Sequence, residues 1–183
     1  MNIGQQVIKQ LERFVTEGPK AVDAVLLKEG QGYIIGVSSD GAEAAIAITV
    51  RDFDRYSLTL RRLEVTQPGE AALDLAGYAA QVSARLTYLE EPLALVEIDT
   101  SEASEASDHV AILRSQPPRQ TGQEIVYWEA VVHPTPQPQV SLARYRWSPQ
   151  QPGREVCYHP LTFGTVGRLA EDLALSLSNQ EAD

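Results

Sequence analysis

Cys157 is the only cysteine in the 183 residues, so an internal disulfide is excluded and the fold must be held by its core. No stretch reaches the roughly 18 consecutive apolar residues of a helical membrane span, and no membrane association is expected. Lysine is absent after Lys28. All later cations are arginines, whose planar fork suits bidentate carboxylate pairing. Basic residues are also outnumbered, 15 against 25 acidic ones, for a net charge of −10. Nucleic acid, which demands clustered cations, is not an expected partner. The chain carries no glycine-rich phosphate loop, dinucleotide fingerprint, nucleophile elbow or paired-histidine metal motif. No catalytic residue and no cofactor are therefore assigned. The opening MNIGQQVIKQLERF has neither the apolar core nor the cleavage site of a signal peptide, and a cytoplasmic protein is expected.

What is present is periodicity. Ile3, Val7, Leu11 and Phe14 recur at helical spacing and predict a helix over 3–16, stopped by Gly18-Pro19. A second helix is predicted over 69–89, with Pro68 at its start and a row of small residues, Ala76, Gly77, Ala80 and Ala84, for close packing. A third, over 163–178, begins near Thr162, with Leu161 and Val166 as a hydrophobic staple and Val166, Leu169, Leu173 and Leu177 as its buried stripe. Between them lie strand-like runs: 22–27, 33–37, 44–50 and 56–65, then 93–98, 110–113, 124–132, 140–147 and 155–158. Asp40-Gly41 marks a tight turn. Leu58 and Leu60 have the opposite parity to Leu63 and Val65, which predicts a bulge at Arg61-Arg62. The class read from this order is α+β, an antiparallel sheet with three helices in a single domain, with 1–89 and 90–183 as two similar halves.

Charge is distributed in blocks. Residues 90–108 hold Glu90, Glu91, Glu97, Asp99, Glu102, Glu105 and Asp108 and no cation. Within that block, Asp99 to Asp108 (DTSEASEASD) reads as a mobile, solvated loop. His133 to Gln139 (HPTPQPQ) reads as a stiff connection between two long strands.

Three constellations are candidates for chemistry. Cys157, His159 and His133 offer a thiol and two imidazoles, but a tetrahedral zinc site needs a fourth ligand and no metal site is assigned. Asp52 and Asp54 alternate on a strand, yet Arg51 and Arg55 flank them, which fits a salt-bridged strand end better than a cation site. The third is a concentration of aromatic and arginine residues, the composition of binding hot spots: Tyr127, Trp128, Arg144, Arg146, Trp147 and His159 are the binding candidates. Along 140–147, Val140, Leu142, Arg144 and Arg146 share one face, and Ala143, Tyr145 and Trp147 the other. The pattern reads either as inward aromatics with solvated arginines outside, or as an exposed surface carrying both. In each reading the arginines face solvent.

The order helix, strands, helix, strands, helix, closing on Tyr158-His159-Pro160-Leu161-Thr162-Phe163 and an amphipathic helix, resembles the small acidic chaperones of type III secretion. The likeness is one of element order, and it implies a non-enzymatic module, chaperone-like or a regulatory adaptor, that holds a protein segment. Homodimerisation through the same surface is a competitor. The alternative is a small-molecule binder or enzyme with a pocket between sheet and helices near Tyr127, Arg144, Arg146 and His159. A deep polar pocket favours that alternative; a groove or an exposed sheet edge favours segment binding.

Overall fold

The computed structural model describes residues 1–28, 31–38, 44–70, 73–99, 109–134 and 136–178. The Asp40-Gly41 turn and the acidic loop beyond Asp99 fall outside them.

Helix α1 (Ile3–Glu17) starts where the Asn2 side chain accepts from the Gln5 amide at 2.8 Å, and ends at Gly18, whose φ of 88° only glycine adopts without strain. It buries Ile3, Val7, Leu11 and Phe14, the four periodic residues. Helix α3 (Phe163–Leu177) is capped by Thr162, which accepts from the Thr165 amide, and buries the stripe Val166, Leu169, Leu173 and Leu177. Helix α2 (Leu75–Arg85) is shorter than predicted. The Asp74 carboxylate caps the Gly77 amide at 2.7 Å, and Gly69 has a φ of 102°, so Pro68 opens no helix. Its buried residues are Leu75, Tyr78, Ala79 and Val82, whereas Ala76, Ala80 and Ala84 face solvent. The bulkier row wins the core because it removes more apolar area from water. Close helix contact occurs elsewhere, where α1 crosses α3. A Cβ built on Gly167 would lie 2.7 Å from the Gly4 carbonyl oxygen and from Ile8 Cγ1.

Eleven strands among the described residues form one antiparallel sheet. They are β1 (Asp23–Leu26), β2 (Tyr33–Ser38), β3 (Ala45–Phe53), β4 (Ser57–Thr66), β5 (Leu93–Asp99), β6 (Val110–Ser115), β7 (Arg119–Thr121), β8 (Glu124–His133), β9 (Gln139–Trp147), β10 (Arg154–Cys157) and β11 (His159–Thr162). The main order is β1-β2-β3-β4-β9-β8-β6-β5. Two meanders thus meet at β4 and β9, and the α+β class read from the sequence holds. The predicted bulge is there too: Thr49 faces Arg62 but Val50 faces Leu60, leaving Arg61 as the extra residue. The His133 to Gln139 stretch joins β8 to β9, with His133 opposite Gln139.

Strands β4 and β9 pair only from Arg62 to Thr66 and then diverge. The gap is filled by one folded-back segment. Strand β10 comes in along β9, with Cys157 opposite Arg144, and β11 leaves along β4, with His159 opposite Leu60. Tyr158 is the apex of this V. The helices lie on one face of the sheet, over Ile35, Ile48, Leu63, Leu113, Ala130 and Leu142, all fully buried in one hydrophobic cluster. The other face carries no helix among the described residues, as an antiparallel sheet permits.

Candidate functional site

The alternation of β8 and β9 divides the binding candidates between the two faces. Trp128 is on the helix side, 2% exposed, with Ala130 and Val132; Tyr127 is on the open side. Arg144 shares its parity with Val140 and Leu142 and is buried with them, 4% exposed, so the expectation of a solvated arginine fails. Its guanidinium lies 5.2 Å from the Trp128 ring centroid, and Nη2 donates to Glu91 Oε1 at 3.3 Å. Trp128 removes water from one side and the carboxylate supplies the counter-charge, which makes burial tolerable. The His159 ring meets Trp128 edge-on at 5.2 Å between centroids. Arg119 closes the cluster, 3.3 Å from Glu91 and 2.8 Å from Glu90. The structure thus brings Trp128, Arg144 and His159 together at the fork, around a carboxylate, Glu91, that strand parity on β9 did not reveal. Arg144 Nη1 and Glu91 Oε2 are buried without a hydrogen-bond partner among the described residues.

On the open face Tyr127 and Tyr145 stack with centroids 6.0 Å apart. The aromatic face is therefore the outer one, and the expected inward aromatic face is corrected. The core side of β9 is filled by Val140, Leu142 and Arg144, which leaves Tyr145 half-buried and Trp147 39% exposed on the other. Glu129, two residues along β8 from Tyr127, is only 2% exposed although no helix among the described residues covers it. Arg114 Nε donates to it at 2.7 Å, and Arg154 grips both of its oxygens while lying 4.2 Å over the Tyr145 ring. The bond to Glu129 holds the Arg154 guanidinium above its ordinary pKa. Arg146, exposed, is bound to Glu155 across the β9–β10 pair. The candidate arginines and their neighbours are thus matched by carboxylates of the same chain. An acidic partner would have to displace them.

The cysteine and histidines do not converge. Cys157 is opposite Arg144 and His133 opposite Gln139, five residues along β9, or about 17 Å. Burial pushes the Cys157 thiol up and the His159 imidazole down, so both favour the neutral form, the reverse of a thiolate–imidazolium pair. Among the described residues no three His, Cys, Asp or Glu side chains gather as a metal site. Asp54 is consumed by the β3–β4 turn, accepting from the Tyr56 and Ser57 amides at 2.7 Å and the Ser57 hydroxyl at 2.6 Å, which lowers its pKa. A cleft of about 380 Å³ opens between Met1, Asn2 and Ile3 of the α1 end and Ala174, Leu175 and Ser178 of the α3 end, and none of the binding candidates lines it.

The uncovered apolar surface is elsewhere. Strand β5 is one of the two edges of the sheet, β1 being the other, and is paired with β6 alone among the described residues. Leu93, at its start, is buried under α2, and its carbonyl accepts from the Ser83 hydroxyl at 2.7 Å. Beyond it no helix among the described residues covers the strand. Leu95, Val96 and Ile98 are 44%, 44% and 39% exposed. The sequence reading missed these residues because LALVEI is almost continuously apolar, the mark of a strand buried on both faces. Val96 is a bulge, skipped between the pairs Leu95–Leu113 and Glu97–Ile112.

Comparison with protein-family models, curated proteins and solved structures found no match. No helix among the described residues is long and apolar enough to cross a membrane.

Proposed function

We propose that the chain is a binding module, chaperone-like or a regulatory adaptor, that takes up an extended polypeptide segment as an added strand along β5. The observation that carries this reading is the edge itself: three large apolar side chains exposed on a strand whose outer side is unpaired among the described residues. Edge backbone groups are unspent donors and acceptors, so a docking strand gains main-chain hydrogen bonds while alternate side chains seat on the apolar residues. The bulge at Val96 increases the local twist, which suits one short segment and opposes indefinite sheet growth. The surface first placed on Tyr127, Trp128, Arg144, Arg146 and Trp147 is set aside because the charges there are internally paired.

The test uses a labelled ten-residue peptide of alternating lysine and valine, followed by fluorescence anisotropy. Two derivatives carry N-methyl groups on alternate amides, in opposite phases. Strand addition requires one phase to keep the parent affinity and the other to lose at least tenfold. Equal binding of the two phases, or no binding of any peptide at millimolar concentration, overturns the proposal.

A further inference from the structure

We infer that the segment taken up by β5 is basic as well as apolar, and that a second copy of this chain is excluded from the same edge. The inference rests on the strand-addition reading and specifies its partner. Residues 90–108 carry seven acidic side chains and no basic one. Two of the seven are neutralised within the fold: Glu90 and Glu91 meet Arg119, and Glu91 also meets Arg144. The remainder are concentrated on the strand and directly after it. Glu97 is exposed on β5, and Asp99, Glu102, Glu105 and Asp108 follow in sequence.

An incoming strand therefore meets apolar side chains on the helix-side face of β5, where Leu95 and Ile98 align with Leu113 and Ala111. On the opposite face, where Glu97 aligns with Ile112, it meets negative charge. The complementary sequence alternates apolar residues with lysine or arginine. Directly opposed unlike charges stabilise neighbouring strands, and like charges destabilise them. Pairing β5 with its own copy, in either direction, brings two strands side by side that each carry Glu97 and no cation. The same repulsion acts as a guard against self-assembly at an edge that is otherwise apolar and open.

The experiment compares the alternating lysine–valine peptide with its glutamate–valine counterpart, and wild-type protein with Glu97→Lys and Glu12→Lys. Glu12 is an exposed acid on α1, whose sheet contact is with β2 near the opposite edge, so its reversal measures non-specific attraction by the acidic protein. The lysine peptide is expected to bind wild type at least tenfold more tightly than the glutamate peptide. Glu97→Lys should weaken it at least threefold more than Glu12→Lys does. Light scattering should give the wild type the mass of a single chain, and a dimer that the lysine peptide dissociates would overturn the exclusion of a second copy. Equal affinity for the two peptides, or equal effects of the two reversals, overturns the charge inference while strand addition, judged by the N-methyl phases, stands. Binding by neither peptide overturns both.

Discussion

Arg144 and Glu91 lie 53 residues apart in the chain yet form one buried ion pair, and their surroundings make the two partners unequal. Glu91 has a second cation, Arg119, at 3.3 Å; Arg144 has no other carboxylate within ion-pair distance among the described residues. Removing Glu91 therefore leaves a charged guanidinium in the core with only the Trp128 ring for compensation, whereas removing Arg144 leaves Glu91 still paired. Glu91→Leu should cost about 3–5 kcal/mol, the range for an orphaned buried charge, and Arg144→Met clearly less. The double variant should be more stable than the sum of the two costs predicts, since neither charge is then stranded. Urea unfolding of the four proteins measures this, and equal single costs with simple additivity would show that the pair is not the unit described. The parity of β9 was legible in the sequence, so Arg144 was correctly grouped with Val140 and Leu142. Which face turned inward was not. Arginine is rarely buried without a partner, and the partner here lies before β5, at a separation that no local spacing encodes.

At the scale of elements, the crossing of α1 and α3 depends on two glycines. In an ordinary helix, glycine to alanine is favourable by up to about 1 kcal/mol. At Gly167 the added methyl would sit 2.7 Å from the Gly4 carbonyl oxygen and from Ile8, whereas at Gly164 the nearest atom, Thr162 Oγ1, is 3.9 Å away. Gly164→Ala is expected to be neutral or slightly stabilising, and Gly167→Ala to destabilise by about 1–3 kcal/mol as the helices are forced apart. Thermal melts of the two variants decide; a stabilised Gly167→Ala would mean that the crossing relaxes freely. Helices α1 and α3 were legible to within a residue or two because apolar period and end signals coincide, Gly18-Pro19 in one and Thr162 in the other. Helix α2 was over-extended because apolar residues continue on both sides of it, through Leu73, Leu86 and Leu89. Strand β11 escaped notice for a different reason. It has four residues, one of them Pro160, which cannot donate to a ladder and reads as a break, yet it is tolerated because β11 pairs on one side only, with β4.

The exposure of β5 is a property of the whole molecule, and simple dimensions show how closely helix layer and sheet are matched. Eight strands in the main order span seven gaps of about 4.8 Å, or about 34 Å, while three helices about 10 Å wide cover about 30 Å. Three helices of that width leave little to spare at the two edges, and both carry uncovered apolar residues; at the β1 edge Val25 and Leu26 are 61% and 58% exposed. The same architecture interleaves the two halves of the chain. Helix α3, from the second half, packs on α1 and over β4 of the first, and β11 pairs with β4 inside the fork. Residues of both halves belong to a single buried cluster, with no seam at which one half retains a covered sheet after the other is lost. Unfolding should therefore be one cooperative transition. The two tryptophans, Trp128 and Trp147, are both in the second half, so their emission reports that half, while far-ultraviolet circular dichroism reports both. In urea the two signals should give the same midpoint and slope, and Leu173→Asp, which places a charge at the fully buried centre of α3, should shift both together by several kcal/mol. A dichroism transition that splits, with one part coinciding with tryptophan emission and the other surviving it, would mean that the halves fold independently and that α3 is an accessory to the first half, not the element that closes it.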